Sequence, residues 1–349
     1  MEITIIIPVK DRRDYIGKTL DSIMKSSELP TELIIVDNGS TDGTYQFCEQ
    51  YIKDIPNATL LRETFPGASA ARNKGLKSCK TEWVYFFDSD DEFDSDFLSV
   101  MNRLPVDDYD MIAVPTKMKV KGKTIVRKYI PSPDPRMQIL AGVLNTQGMV
   151  FRTNFLKDIG AWNTECRIWN DWELGLRAIL HQPKILWYTE RDFHLINVHN
   201  DSITGKSFSE NYKALIRTLS VALTDLHASI LQPLSTYHAQ HLNCIYPHLD
   251  HLTYALYLHT NILLGKVQRE KMTGKGKNYK LATKALKIFR NDNFHPTSAQ
   301  KRVAKMLRSY TKYGGKGTWR IAIAISRPET NTSFKQQFRN LWQRCFASK

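Results

Sequence analysis

Three carboxylates within four positions, Asp88, Asp90 and Asp91, follow an aromatic, apolar run that ends at Phe87. In a partly buried place such carboxylates would repel one another strongly unless a cation joined them. Oxygen ligands of this kind suit Mg²⁺ or Mn²⁺, and an ion held by one or two carboxylates usually shares the rest of its shell with phosphate oxygens. The alternative for such a segment is a solvated acidic loop, so the wider pattern has to decide.

The elements that must position these carboxylates alternate between short β-branched runs and helical patterns. Residues 3–9 and 32–37 are continuous apolar runs, as expected of parallel strands covered on both faces. Residues 58–62 and 83–87 repeat this pattern, with helices predicted between the strands. The βαβαβα order predicts a right-handed, mostly parallel sheet, whose ligands bind at the carboxyl ends of the strands.

Polar sequences follow two further predicted strands, and a fourth polar motif opens a helix. The second of these, at residues 36–44, could by itself be no more than a turn with a helix cap. Together the four motifs resemble, in order and spacing, the family 2 glycosyltransferases with a GT-A fold. The resemblance covers about residues 1–205 and is carried by PVKDRR (8–13), VDNGSTDGT (36–44), GASAARNKG (67–75) and FFDSDD (86–91).

The resemblance implies a role for each matching residue. The residues implied to bind the nucleotide sugar are Pro8, Val9, Asp11, Asp37, Arg72, Asp88 and Ser89. Within this set, Asp37 would accept a hydrogen bond from the base, usually uracil, and Arg72 would face the base and the diphosphate. Asp90 is the implied ligand of Mn²⁺ or Mg²⁺. Two departures from the family pattern, Lys10-Asp11 and Asn38, leave the identity of the base open.

The rest of the reaction centre is expected downstream. The segment NDWELGLR at 170–177 resembles the family segment in which an acid that opens a helix is the general base, and Asp171 holds that carboxylate. A helix cap is the alternative role for Asp171. The segment beginning at His199 resembles the family's closing segment, in which a histidine reaches back to the metal or the diphosphate. Gln147 stands in the region where the family shapes its donor and acceptor pockets.

The net charge of +14 is unevenly distributed along the chain. Residues 266–349 hold 21 Lys and Arg against three acids, so the remainder is slightly acidic. Strand patterns fade after residue 204, and we therefore expect a GT-A domain at 1–205 and a mainly helical, basic region at 206–349. Apolar residues at helical spacing after Phe334 predict a basic amphipathic helix, suited either to an anionic membrane surface or to packing on its own domain.

The five cysteines are odd in number and scattered, which argues against a disulfide framework. We see no signal peptide, and the apolar runs are far shorter than the roughly 20 residues of a membrane span. The expected location is therefore cytoplasmic, with peripheral attachment to the inner face of the cytoplasmic membrane as an option.

The expected reaction is inverting transfer of a hexosyl or N-acetylhexosaminyl group from a UDP-sugar to a hydroxyl of a glycan or lipid-linked glycan. Two rival functions stay open at this stage. The basic region could bind nucleic acid, although no recognisable binding motif accompanies its charge. A nucleotidyltransferase would also use paired carboxylates and a divalent ion. It usually shows a glycine-rich loop after the first strand, and residues 8–13 contain no glycine.

Overall fold

The computed structural model describes residues 1–120, 122–198, 210–231, 249–274, 283–291 and 294–326. The chain divides into two compact units. The first comprises Met1–Pro133 and Val143–Gly205, and the second comprises Asp134–Gly142 and Lys206–Lys349. The short segment Asp134–Gly142 thus belongs to the second unit although it lies within the sequence of the first, which no local pattern in the sequence indicated.

The described part of the first unit contains a seven-stranded sheet in the order β3-β2-β1-β4-β8-β5-β9 and a three-stranded sheet in the order β10-β6-β7. The strands are β1 (Ile3–Val9), β2 (Glu32–Asp37), β3 (Ala58–Arg62), β4 (Trp83–Phe86), β5 (Met111–Ala113), β6 (Thr116–Val120), β7 (Lys123–Val126), β8 (Met149–Arg152), β9 (Ile185–Trp187) and β10 (Phe193–Asn197). Strands β1 to β4 pair in parallel, as predicted. Strand β8, which was not predicted, lies antiparallel between β4 and β5.

Helices alternate with the first strands, and they dominate the second unit. In chain order they are α1 (Ile16–Met24), α2 (Thr44–Ile52), α3 (Ala68–Ser78), α4 (Phe97–Met101), α5 (Pro135–Ala141), α6 (Thr153–Asp158), α7 (Asn170–Leu180), α8 (Tyr212–Leu231), α9 (Leu249–Met272), α10 (Ile288–Asn291), α11 (Ser298–Lys312) and α12 (Thr318–Ile325). The predicted α/β fold with a mostly parallel sheet and a helical C-terminal region is confirmed.

The core of the first unit surrounds β1, whose residues are all buried. Helix α1 covers one face of the sheet with Ile16, Leu20 and Ile23, the side chains at helical spacing. Helix α3 lies so close to β1 that a Cβ atom at Gly75 would stand 2.5 Å from Cγ2 of Ile6. This close contact fixes the N-terminus of α3 at the carboxyl edge of the sheet.

A crevice between β1 and β4 opens at this edge. Pairing between the two strands ends at Ile6 and Phe86, while β1 continues alongside β2 to Val9. Hydrogen-bonding groups alternate along a strand, so the missing N–H of Pro8 faces the β4 side, beyond the last pair. The proline therefore costs no ladder hydrogen bond. The strand order also reverses here, the position at which open α/β sheets bind ligands.

The described part of the second unit consists of helices that pack on α9. Helix α11 approaches α9 closely, since a Cβ atom at Gly265 would stand 2.5 Å from the carbonyl oxygen of Arg308. No helix among the described residues is long and apolar enough to cross a membrane. Within the region expected to be mainly helical, residues 232–248 lie outside the described ranges, as does the predicted amphipathic helix after Phe334.

Candidate active site

The loop after β2 is folded around the carboxylate of Asp37. This side chain is 3% exposed, and its oxygens accept hydrogen bonds from the backbone N–H groups of Gly39 and Ser40, at 3.1 and 3.2 Å. An ionised carboxylate retains acceptor capacity beyond two hydrogen bonds. Asp37 therefore shapes the loop and still has acceptor positions for the base that the resemblance implies; that second role remains a prediction.

The loop after β1 is tied to the loop after β2 by Asp11. The Asp11 carboxylate accepts from the backbone N–H of Thr41 at 2.8 Å, and the Asp11 N–H donates to the Ser40 hydroxyl at 2.9 Å. Asp11 has a φ of 51°, an uncommon value for a residue other than glycine. The carbonyl of Val9 accepts from the N–H of Asn38 at 2.8 Å. These hydrogen bonds tie the segment Pro8–Asp11 to the loop that begins at Asp37; that the two segments line a nucleoside pocket stays a prediction.

Asn38 departs from the family pattern for a reason visible in its contacts. Its amide nitrogen donates to the carbonyl oxygens of Glu63 and Phe65, at 2.9 and 2.8 Å, and its amide oxygen accepts from the Gly67 N–H at 2.7 Å. An aspartate at this buried position would place a carboxylate oxygen against two carbonyls. Asn38 therefore holds the segment that leads into α3.

Arg72 lies in the first turns of α3 and is 4% exposed. Its Nη2 donates to Asp88 at 2.7 Å, and its guanidinium carbon lies 4.3 Å from the ring centre of Trp162. Its Nε and Nη1 are buried and have no hydrogen-bond partner in the described part of the chain. Buried N–H groups are almost always paired, so two orphaned donors of one cation indicate an anion-binding position.

The acidic segment after β4 is held together by the amide of Gln147, which lies in the 3₁₀ turn before β8. Its Nε2 donates to Asp88 at 2.9 Å and to Asp91 at 2.6 Å. The carbonyl of Gln147 accepts from the hydroxyl of Tyr85 at 2.9 Å, which fixes the backbone of the turn. One amide thus joins two carboxylates and orients both.

Asp91, the last of the three carboxylates in the acidic segment, is 2% exposed. Burial raises its pKa well above the usual value, and the neighbouring carboxylates Asp88 and Asp90 raise it further. Its second oxygen accepts from the backbone N–H of Asn197 at 2.7 Å, and the Asn197 amide donates to the carbonyl of Asp90 at 3.1 Å. Asn197, at the end of β10, is therefore part of the site, although no sequence pattern indicated it.

Asp90 differs from its two acidic neighbours because its carboxylate faces the cations after β1. Its Oδ2 lies 3.5 Å from Nε of Arg12, and its side chain is 18% exposed. Both carboxylate oxygens of Asp88 accept hydrogen bonds from protein donors, and so do both of Asp91. Ser89, which follows Asp88 in the sequence, is buried. The described residues include no group of three or more acids, histidines or cysteines arranged to enclose a metal ion.

The donor set at Asp90 fits Mg²⁺ or Mn²⁺ bound together with a substrate. These hard cations are commonly held by one or two carboxylates, with phosphate oxygens and water completing the shell, so an enclosing protein cage is not required. Asp90 with Asp88 supplies carboxylate oxygens beside the anion position of Arg72. His199, the second predicted metal ligand, lies outside the described residues.

Asp171 lies in the first turn of α7, as predicted. Its Oδ1 accepts from the Trp172 N–H at 2.8 Å, and its Oδ2 lies 3.9 Å from Nη2 of Arg127. Its side chain is 23% exposed, so one edge of the carboxylate can meet a substrate. The preceding residue, Asn170, donates to the Ser69 hydroxyl at 3.2 Å, which ties the start of α7 to the start of α3.

Arg127 interacts with both Asp171 and the acidic segment. It follows β7, pairs with Asp171, and its positive charge acts on Asp91 against the rise in pKa of that carboxyl. Asp171 thus contacts Arg127, the charge of Arg127 acts on the acidic segment, and that segment contacts Arg72 through Asp88. The structure therefore brings the predicted base, acids and arginine into one site, and it adds Arg12, Arg127 and Asn197, which the sequence analysis missed.

The first unit has the architecture of a GT-A fold, with the site residues at the carboxyl edge of its sheet. Residues 4–155, less than half of the chain, match the family model described as "Glycosyl transferase family 2".

Curated relatives support the same family. A putative teichuronic acid biosynthesis glycosyltransferase of Bacillus subtilis is 40% identical over 97 residues, 28% of this chain and 38% of that protein. A poly(ribitol-phosphate) β-N-acetylglucosaminyltransferase of Staphylococcus aureus, TarS, is 28% identical over 233 residues, 64% of this chain and 40% of that protein. The chain thus spans less than half the length of these relatives.

Solved structures share the fold at low identity. TarS 1–349 of Staphylococcus aureus in complex with UDP-GlcNAc superposes with a TM-score of 0.58 at 16% identity, covering 90% of this chain and 93% of that one. A mannosyltransferase of Pyrobaculum calidifontis in complex with GDP-Man and Mn²⁺ has a TM-score of 0.50 at 16% identity, covering 93% of this chain and 86% of that one.

Proposed function

We propose that this chain is an inverting glycosyltransferase that moves a hexosyl or N-acetylhexosaminyl group from a UDP-sugar to a hydroxyl of a glycan or lipid-linked glycan. The observation that carries the proposal is the buried guanidinium of Arg72, with two N–H groups lacking partners among the described residues. It lies against the acidic segment, through Asp88, at the carboxyl edge of the sheet. A diphosphate is the anion that suits such a position.

The names of the relatives support one class of donor and one class of acceptor. The TarS structure that shares this fold binds UDP-GlcNAc, and its name gives poly(ribitol-phosphate) as the acceptor. The match of residues 4–155 to a glycosyltransferase family model also favours glycosyl transfer over nucleotidyl transfer and nucleic-acid binding, the two rivals that the sequence left open. An acceptor that belongs to a surface polymer is therefore the substrate class we propose.

Different predicted residues would bind different parts of the nucleotide-sugar donor. The connected group of Asp37, Asp11, Pro8 and Val9 would line the nucleoside pocket, with Asp37 offering a carboxylate oxygen to the base. Arg72 would donate through Nε and Nη1 to the diphosphate, while Asp88 keeps its guanidinium in place. Ser89 lies next to Asp88, at the side where the ribose or the donor sugar would lie.

The transfer itself requires one base and one leaving group. The acceptor hydroxyl oxygen attacks the anomeric carbon, and its proton passes to the Asp171 carboxylate. The bond from the anomeric carbon to the diphosphate oxygen breaks, and both of its electrons leave with the nucleoside diphosphate. The α7 N-terminus and Arg127 are positive neighbours that hold the Asp171 carboxylate in place before the transfer.

A divalent ion at Asp90 would add positive charge beside the departing diphosphate. Asp90, with Asp88 next to it, would hold the ion, and Gln147 would keep the acidic segment in a fixed conformation. Arg12 and Arg72 supply positive charge from the protein itself, on either side of the segment.

Replacement of Asp171 by Asn tests the proposal. Removing a general base typically lowers the rate by about 10² to 10⁴, so kcat should fall within that range while UDP binding with Mn²⁺ remains unchanged. The control is Asp54→Asn, which changes an exposed carboxylate just after α2 and should leave both quantities unaltered. Transfer at the wild-type rate in the Asp171 variant would exclude this residue as the base.

A further inference from the structure

Helix α11 presents four cations along one side. Lys301, Lys305, Arg308 and Lys312 follow one another at intervals of four, three and four residues. At about 100° per residue they lie within a strip roughly 60° wide, and at about 1.5 Å per residue the strip is about 16 Å long. We call these four residues the basic face.

Among the described residues, no ion pair neutralises the basic face. Residues 294–326 contain seven Lys and Arg and no Asp or Glu. None of the four side chains takes part in a salt bridge among the described residues; Lys312 lies over the ring of Tyr313 at 4.9 Å. Lys301 and Lys305 are exposed, and Arg308 and Lys312 are half-buried. A row of unpaired cations concentrates positive potential where an anion can reach it.

The helix that carries the basic face is firmly held. Its opposite side buries Val303, Ala304 and Leu307 within the second unit. Its N-terminus has a complete capping box, in which the Thr297 hydroxyl accepts from the Gln300 N–H and the Gln300 side chain accepts from the Thr297 N–H. The cations are therefore carried at fixed spacing by an ordered backbone, so binding a ligand needs only their side chains to be ordered.

We propose that the basic face binds the phosphodiester backbone of a linear, anionic acceptor polymer. The cations form a single row, which matches a chain of regularly spaced phosphates better than an isolated phosphate. The proposal rests on the proposed function, since it assigns the acceptor to the class of phosphodiester-linked polyols. It adds a second binding position to the transferase, distinct from the one that holds the reacting hydroxyl.

A membrane surface fits the basic face less well. A helix that docks on lipid dips its apolar side between the headgroups. The apolar side of α11 is buried in the protein, and the large apolar side chains that it and the next residue expose are Met306, at 43%, and Tyr313, at 70%. Binding must therefore be mainly electrostatic, which a flexible polyanion satisfies by following the row of cations.

The consequence for the reaction is that a long acceptor is held by more than its reacting end. Binding of one part of a polymer raises the effective concentration of its other parts at the same protein. Long acceptors should therefore have a lower KM than a single repeat, and the difference should disappear when the basic face is neutralised.

The test compares two variants of the full chain with the same loss of charge. In K301Q/K305Q/R308Q/K312Q each cation of the basic face is replaced by glutamine, which is uncharged and a good helix former. The control is K25Q/K53Q/K77Q/K157Q, in which exposed lysines of the first unit are replaced. The binding of fluorescent poly(ribitol phosphate) is measured by anisotropy over a range of salt concentrations, and binding of UDP is measured in parallel.

The basic-face variant should bind the polymer at least tenfold more weakly at low salt. Because each phosphate contact releases counterions, binding weakens more steeply with salt as more contacts are made, so the variant that lacks four cations should show a shallower salt dependence than the wild type. The control variant should bind like the wild type, and UDP binding should be unchanged in both.

Equal affinity and slope in the wild type and the basic-face variant would overturn the proposal, and so would an equal loss in the control. Vesicles of phosphatidylglycerol and phosphatidylcholine in equal parts form the second arm. Loss of vesicle binding with intact polymer binding would identify a membrane surface instead. Loss of polymer binding in a chain that transfers no sugar would support the basic face and count against the proposed function.

Discussion

Arg72→Met separates the function of this arginine from its contribution to stability. In the wild type the guanidinium makes a charge-assisted hydrogen bond to Asp88 and lies over Trp162. Two of its donors are buried without a partner in the described part of the chain. Methionine has a similar stem length and no donor, so the substitution removes favourable and unfavourable contributions together.

The two contributions nearly cancel in the free energy of unfolding. Loss of the hydrogen bond to Asp88 should cost about 1.5 to 3 kcal/mol, and loss of the contact with Trp162 up to about 2. Relief of two unsatisfied buried donors should return about 1 to 3 kcal/mol each. Asp88 keeps the Gln147 amide and can reach water, since its side chain is 33% exposed. At the middle of each range about 3 kcal/mol is lost and about 4 kcal/mol is returned, so the net change should be about 1 kcal/mol.

UDP binding should respond far more strongly. Two hydrogen bonds from a guanidinium to a diphosphate are worth about 1.5 to 3 kcal/mol each, or about 3 to 6 together. Their loss should weaken UDP binding by roughly a hundredfold to ten-thousandfold.

Arg177→Met is the matched control, because Arg177 is also a buried arginine with an acidic partner. Its Nε lies 2.6 Å from Glu173, and its other nitrogens donate to Glu173 and to the carbonyls of Ile159 and Ala161. Breaking a buried pair whose groups are all satisfied should cost about 3 to 5 kcal/mol. UDP binding to the folded fraction of this variant should equal that of the wild type.

Urea denaturation gives the stability of each variant, and calorimetry with UDP and Mn²⁺ gives its affinity. The reasoning is refuted if Arg72→Met is destabilised as much as Arg177→Met, or if it binds UDP as tightly as the wild type.

Two further predictions concern the metal and the pH dependence of stability. Asp90→Asn should reduce the enhancement of UDP affinity by Mn²⁺ over that measured in EDTA, and an unchanged enhancement would exclude Asp90 as a ligand. Burial, with the positive charges of Lys117 and Arg191, lowers the pKa of His194 well below its usual 6.5. As the pH falls, His194 is therefore protonated in the unfolded chain at a higher pH than in the folded chain. The free energy of unfolding should fall as the pH drops below about 6.5. His194→Asn removes that proton uptake and suits the φ of 51° at this position; it should lose less stability than the wild type between pH 7.5 and pH 5 in urea denaturation. Equal losses in the two proteins would contradict this assignment.

The amino-acid sequence alone determined the parallel strands β1 to β4 and the polar side chains at their carboxyl ends. Continuous apolar runs with polar ends are local patterns, and parallel strands bring all their carboxyl ends to one side. The motifs at this edge resemble those of family 2 glycosyltransferases, and that resemblance assigned Asp37, Arg72 and the acidic segment to one site before any contact was known. Asp171 was assigned through the same resemblance, since its position at the start of a helix is by itself equally compatible with a cap.

Only the tertiary structure showed what holds these groups in place. Gln147 joins Asp88 to Asp91 across more than fifty positions, and Asn197 reaches the same segment from more than a hundred positions away. Such contacts depend on β8 inserting antiparallel beside β4 and on β10 pairing with β6. Pairing between distant strands is decided by the packing of the whole unit, and no local periodicity records which strand becomes whose neighbour.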